Sequence, residues 1–113
     1  MIFESEGDLQ SWTIRVLTAA GWIVVRAHAG YVRGRRVNRD GVADLIACAN
    51  GCGRYVELEI KTHDGAVRPA QEKRRRDVMA HGGDYRVIRS HEDVYALLRA
   101  YQGGSHVRVD HVA

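Results

Sequence analysis

Tyr55-Val56-Glu57-Leu58-Glu59-Ile60-Lys61 is the stretch that decides the fold, taken together with Gly41-Val42-Ala43-Asp44 upstream of it. Its strict alternation has the period of a β-strand, which puts Val56, Leu58 and Ile60 on one face and Glu57, Glu59 and Lys61 on the other. Asp44 opens a neighbouring apolar run, Leu45-Ile46-Ala47-Cys48, and the turn Asn50-Gly51-Cys52-Gly53 folds that run back against the second strand. Such a hairpin brings Asp44 beside Glu59 and Lys61. An Asp and a Glu held close together form an oxygen-rich site suited to Mg²⁺, and an adjacent lysine can orient a water or steady a phosphate. Glu57, on the same strand face, either joins the site or points into solvent, and solvent is expected.

Upstream of the hairpin, Ser5-Glu6-Gly7-Asp8 reads as a capping box with Asp in its last place. Leu9, Trp12, Val16, Leu17 and Ala20 follow at helical spacing, so a helix is predicted from Ser5 to Ala20, stopping at Gly21. Glu6 lies in its first turn, where the helix dipole favours a carboxylate whatever else it does. Trp22 to His28 is β-branched and aromatic, the signature of a first strand buried on much of both faces. Between it and Asp44, Arg33, Arg35, Arg36 and Arg39 lie among glycines, with Tyr31 available to stack. This basic loop can follow a phosphate backbone; an ordinary solvated loop has the same composition.

Downstream, Pro69 suits the first turn of a second helix, predicted over 69–80 and ending before Gly82-Gly83. It carries Lys73-Arg74-Arg75-Arg76, of which Lys73 and Arg74 are the candidates to reach a duplex held at the acidic site. Gln71, in its first turn, can both donate and accept hydrogen bonds just beyond the lysine strand. Tyr85 to Arg89 is a further strand, and Ser90-His91-Glu92-Asp93 caps a third helix with Val94, Leu97, Leu98 and Tyr101 on one stripe. The tail from 103 to 113 alternates again; it adds an edge strand, pairs with another subunit, or frays. The order is α-β-β-β-α-β-α, an α/β fold with helices available to cover both faces of the sheet.

At 113 residues the chain fits one domain, with its core over about residues 5–100. Hydrophobic residues at 45% and charged residues at 27% are ordinary globular proportions, which argues against disorder as the main state. The formal charge is +3, and 15 of the 17 cationic residues are Arg, whose planar fork prefers phosphate; Arg-rich codon usage gives the same bias. The opening Met1-Ile2-Phe3-Glu4-Ser5-Glu6 lacks a basic start before an apolar run, and no stretch approaches membrane-spanning length, so a cytosolic protein without membrane partners is expected. Cys48 and Cys52 are too few for a disulfide scaffold and read as buried thiols near a turn.

With its spacing, this pattern resembles the PD-(D/E)xK nuclease superfamily and, more closely, its VRR-NUC branch. The residues that carry the likeness are Glu6, Gly41-Val42-Ala43-Asp44, Glu59-Ile60-Lys61, Gln71, and Gly82-Gly83 with the strand to Ser90. The resemblance implies a restriction-endonuclease-like αβββαβ core with a central mixed sheet flanked by helices. It also implies metal-dependent hydrolysis of DNA phosphodiester bonds, structure-selective and including resolution of four-way junctions by a homodimer, in a stand-alone, phage-like protein of a bacterial cell. Carried over, Asp44 and Glu59 bind Mg²⁺ or Mn²⁺ with the Ile60 carbonyl as a further ligand. Lys61 positions water or stabilises developing charge, Glu6 supports the metal or its waters, and Gln71 holds the site or the scissile phosphate. Two departures are Ala43, where proline is usual, and Arg68, where a small capping residue is common. The competing readings are a non-catalytic nucleic-acid-binding module on the same fold, and an interaction subunit in which Glu57, Glu59 and Lys61 form only a surface ion-pair ladder.

Overall fold

The computed structural model describes residues 5–27, 31–32, 35–36, 41–62 and 64–102. Helix α1 (Glu6–Ala19) starts where the Ser5 hydroxyl accepts the Asp8 N–H at 3.1 Å, with Glu6 and Asp8 in its first turn. It ends as expected at Gly21, whose φ of 87° lies in the left-handed region that a side chain resists. Leu9, Thr13 and Leu17 bury one stripe of the helix against the sheet.

Four strands form the main sheet: β1 (Ile23–Arg26), β4 (Leu45–Cys48), β5 (Tyr55–Ile60) and β6 (Asp84–Ile88), in the spatial order β1-β4-β5-β6. The first two pairings are antiparallel, while β5 and β6 run parallel through the crossover helix α2 (Pro69–Ala80). Helix α3 (His91–Ala100) follows; Ser90 Oγ accepts the Asp93 N–H and Asp93 accepts the Arg89 N–H, so the two ends of the cap satisfy each other. This is the mixed α/β, restriction-endonuclease-like arrangement expected from the sequence. Inside the stretch read as a basic loop, β2 (Tyr31–Val32) and β3 (Arg35–Arg36) pair as a small antiparallel ribbon.

The two faces of the sheet differ. Val56, Leu58 and Ile60 of β5, with Leu45, Ala47 and Ile88, face α1 and α3 and form the main core with Leu9, Leu17, Val94 and Leu97. The opposite face packs α2 through a smaller cluster of Ala43, Val78 and Tyr85. Because α2 lies over the β5–β6 side of that face, the β1 side is left open. Strand β1 is therefore not buried on both faces: Ile23 is 69% and Val25 54% exposed, because β1 is the sheet edge and, among the described residues, no helix covers that face of it. Cys48 is exposed and Cys52, in the β4–β5 turn against the main core, is half-buried, against the expectation of buried thiols. The turn between β4 and β5 is fastened to the end of α1 by Asn50, whose side-chain amide donates to the Ala20 carbonyl at 2.9 Å.

The alternating tail at 103–113, and the end of α3 at Gly103-Gly104, lie outside the described residues, as do His28, Arg33 and Arg39. Among the described residues no helix is long and apolar enough to cross a membrane. Leu58 sits at the centre of the sheet with no exposed surface. Leu58→Ala is expected to cost about 2–5 kcal/mol through lost burial and the cavity left behind, read as a lower midpoint in urea unfolding with an unchanged slope.

Candidate metal centre

The register of β4 on β5 sets Leu45 opposite Leu58, so the next residue out on β4, Asp44, stands across from Glu59. Asp44 precedes the strand and turns its carboxylate onto β5, where Oδ2 accepts the Ile60 N–H at 2.8 Å. Its own carbonyl accepts the Ala27 N–H at 2.9 Å, so the residue is tied to a strand on each side. Glu59 is 5% exposed and is gripped from α2: Gln71 Nε2 donates to Glu59 Oε2 at 2.7 Å. Gln71 Oε1 in turn accepts the Arg68 N–H at 3.0 Å, which fixes which way the amide faces. The unusual cap residue Arg68 is thereby accommodated: the N-terminus of α2 is closed by Gln71 reaching back, not by a side chain at position 68.

Burial raises the Glu59 carboxyl from its ordinary 4.5 to about 8, and the Asp44 carboxylate within hydrogen-bonding reach adds to the shift; Lys61 and Arg68 pull the other way. Two acids pressed together in this manner are the arrangement that a cation relieves. Asp44 Oδ1 and Glu59 Oε1 are the oxygens not taken by Ile60 and Gln71. A donor set of carboxylate oxygens alone, without imidazole or thiolate, suits a hard divalent ion such as Mg²⁺ or Mn²⁺. Among the described residues no group of three or more His, Cys, Asp or Glu gathers, so any cation here rests on this pair with backbone and water completing its shell.

Lys61 leaves the strand beside the pair, its N–H donating to the Ile88 carbonyl at 3.0 Å and its aliphatic stem lying over Gly65. Among the described residues its ammonium joins no salt bridge with a carboxylate. Glu6 reaches the same end of β5 from α1 but is engaged with the backbone: Oε1 accepts the Thr62 N–H at 3.0 Å. It therefore anchors the segment that follows Lys61. Arg89, which the sequence did not single out, anchors that segment from the other side, donating to the Thr62 carbonyl at 3.0 Å and the Gly65 carbonyl at 2.6 Å.

The remaining acid of β5 departs from expectation. Glu57 does not face solvent; it is wholly buried beneath α2, where Arg74 Nη2 donates to Oε2 at 2.6 Å and the Tyr55 hydroxyl donates to the same oxygen at 2.6 Å. The sequence showed the alternation but not which strand face a helix would cover. Burial alone would raise this carboxyl, but the donors from Arg74, Tyr55 and the Ala43 N–H outweigh it and hold Glu57 below its ordinary range. Arg74 is correspondingly turned inward as the counter-ion of Glu57, not outward towards a duplex. Lys73 does face solvent, paired with Asp77 one turn on at 3.0 Å. Of the loop arginines, Arg35 and Arg36 lie on β3, while Arg33 and Arg39 fall outside the described residues.

No family model matches the chain, and no curated protein matches it. A solved structure described as a VRR_NUC domain superposes with a TM-score of 0.64 at 23% identity, covering 85% of this chain and 96% of that one. The chain thus has the fold of that domain over most of its length.

The raised Glu59 carboxyl has a consequence for stability. Below its ordinary value of 4.5 both folded and unfolded chains carry the proton; between there and about 8 only the folded chain keeps it, so stability declines as pH rises through that window. The metal-free protein should melt at lower temperature at pH 8 than at pH 5, by several degrees, and Glu59→Gln should flatten the difference. Glu57 contributes in the opposite sense and only under more acidic conditions, so the part of the pH dependence that Glu59→Gln removes belongs to Glu59.

Proposed function

We propose that the chain is a VRR-NUC nuclease: a divalent-metal-dependent endonuclease that hydrolyses DNA phosphodiester bonds, selective for branched or four-way junction DNA and acting as a homodimer in a bacterial or phage-infected cell. The observation that carries this reading is the convergence of Asp44, Glu59 and Lys61 at one end of β5, with Gln71 holding Glu59 from α2. The likeness of fold to a VRR_NUC domain supports it, since the match spans most of both chains.

The chemistry follows from what these groups offer. Asp44 Oδ1, Glu59 Oε1 and the Ile60 carbonyl would hold Mg²⁺ or Mn²⁺, each carboxylate already aimed by a hydrogen bond to its other oxygen. The ion, when bound, makes a water nucleophilic at neutral pH and offsets charge on the phosphoryl oxygens. Lys61, beside the Asp44–Glu59 pair, serves to orient the attacking water and stabilise the charge that builds on the phosphate. Glu6 and Arg89 hold the backbone of Thr62 and Gly65 and so the direction in which Lys61 leaves the strand. Gln71 keeps Glu59 from swinging away. Duplex contact falls to Lys73 at the surface of α2 and to the arginines of the 33–39 stretch, which precedes Gly41 and Asp44 in the sequence.

Asp44→Ala and Glu59→Ala are expected to abolish cleavage of a four-way junction in Mg²⁺ and Mn²⁺ while leaving circular dichroism unchanged. Lys61→Ala should lower the rate about 10²–10³-fold. Full activity in folded Glu59→Ala protein would overturn the assignment, and salt-sensitive DNA binding with no product from any nicked, flapped or branched substrate would leave a binding module in its place. Two symmetric cuts need two centres, so light scattering at working concentration should give the mass of a dimer.

A further inference from the structure

Glu57 and Arg74 have no place in the chemistry just described, yet they sit beside it. Glu57 is saturated: Arg74 Nε donates to both carboxylate oxygens at 3.1 Å, Nη2 and Tyr55 Oη donate to Oε2 at 2.6 Å, and the Ala43 N–H donates to Oε1 at 3.3 Å. The last of these contacts is the informative one. Ala43 is 1% exposed, so its N–H has no water to turn to, and Glu57 supplies the acceptor a buried amide requires. That amide belongs to the residue immediately before Asp44, so Glu57 sets the orientation of the chain from which the Asp44 carboxylate projects.

The rest of the segment is confined as well. Gly41 has a φ of 77° and lies so close to α2 that a Cβ there would collide with the Ala70 carbonyl, while its own carbonyl accepts the Tyr85 hydroxyl at 3.3 Å. Gln71 and Arg74 stand three residues apart on α2 and so share one helix face. From that face Gln71 holds Glu59 directly, and Arg74 holds Glu57, which holds the Ala43 amide. A buried ion pair adds little net stability over apolar groups of the same size, so stability alone gives little reason for a charged pair here.

We propose that the Glu57–Arg74 pair is a positioning device for Asp44: it fixes the Ala43–Asp44 backbone so that helix α2 aligns both acids of the centre, Glu59 through Gln71 and Asp44 through Glu57. Neither residue is a ligand. This rests on the reading of Asp44 and Glu59 as cation ligands.

The test replaces the pair by Glu57→Met together with Arg74→Met, which keeps volume without leaving one charge buried alone. Amide exchange by NMR on metal-free protein reads the backbone, Mn²⁺ calorimetry reads the site, and kcat and KM on four-way junction DNA read the reaction. The double variant should lose protection at the Ala43 amide while Leu58 stays protected, bind Mn²⁺ about 10- to 100-fold more weakly, and lose kcat with KM for DNA unchanged. Glu57→Gln, which retains an acceptor for the Ala43 N–H, should restore most of each. Arg74→Lys keeps the charge but not the forked contact and should move the same readouts less far, which serves if the double variant does not fold. Unchanged Ala43 exchange or unchanged Mn²⁺ affinity in the folded double variant, or in folded Arg74→Lys if the double variant does not fold, would overturn the proposal. Wild-type protein that takes up no Mn²⁺ would overturn the cation reading and this one with it; Ala43 exchange, measured without metal, tells that failure from a failure of the Glu57 contact.

Discussion

The pairing of β4 with β5 is the constraint on which the rest depends. With Leu45 opposite Leu58 and Ala47 opposite Val56, the apolar side chains of both strands enter one core, and Asp44 is left across from Glu59 on the other face. A slip of one residue would turn every one of these side chains over, putting Glu57 and Glu59 into the apolar core. The cost of that slip, Leu45, Val56, Leu58 and Ile60 exposed and two carboxylates desolvated without partners, is what makes the register unique. The acids meet because the hydrophobic side of the hairpin leaves them no alternative.

Meeting is unfavourable for the acids themselves, and the structure absorbs the conflict in two different ways. Glu57 is matched with Arg74 and Tyr55 and stays ionised under the helix. Glu59 receives the neutral amide of Gln71 and faces Asp44, so burial first and the Asp44 carboxylate next push its carboxyl up. Two glutamates one pleat apart on the same strand thus have opposite electrostatic fates. The difference lies in what one helix presents to each, an amide at the first turn and a guanidinium one turn later. Under the proposed function it is the Asp44–Glu59 pair, and not the already neutralised Glu57, that would take a cation.

The surroundings of this centre are held by contacts between elements far apart in the chain. Glu6 of α1 and Arg89 at the end of β6 both bind the backbone after Lys61, and Tyr85 of β6 reaches the carbonyl of Gly41. The Tyr85 hydroxyl is kept protonated by burial first and by the charges of Glu59, Glu57 and Asp44 next, so it remains a donor. The open side of the same sheet face, over β1, offers the exposed Ile23 and Val25 beyond the reach of α2.

What the sequence by itself determined is whatever follows from local periodicity and end signals: three helices with their serine and proline starts, the hairpin, the alternation of β5, and the facing of Asp44 and Glu59 that comes with it. Those follow because side-chain period and turn chemistry act over a few residues. What only the tertiary structure decided is which polar side chains would be covered. Nothing in the spacing of Glu57 and Arg74, seventeen residues apart, distinguishes them from a solvated acid and a surface arginine. Their pairing exists because α2 crosses over the β5–β6 side of the sheet and not over β1, and the same placement exposes β1 on the face that its apolar composition suggested would be buried. Burial depends on where helices land in three dimensions, which periodicity along the chain does not encode.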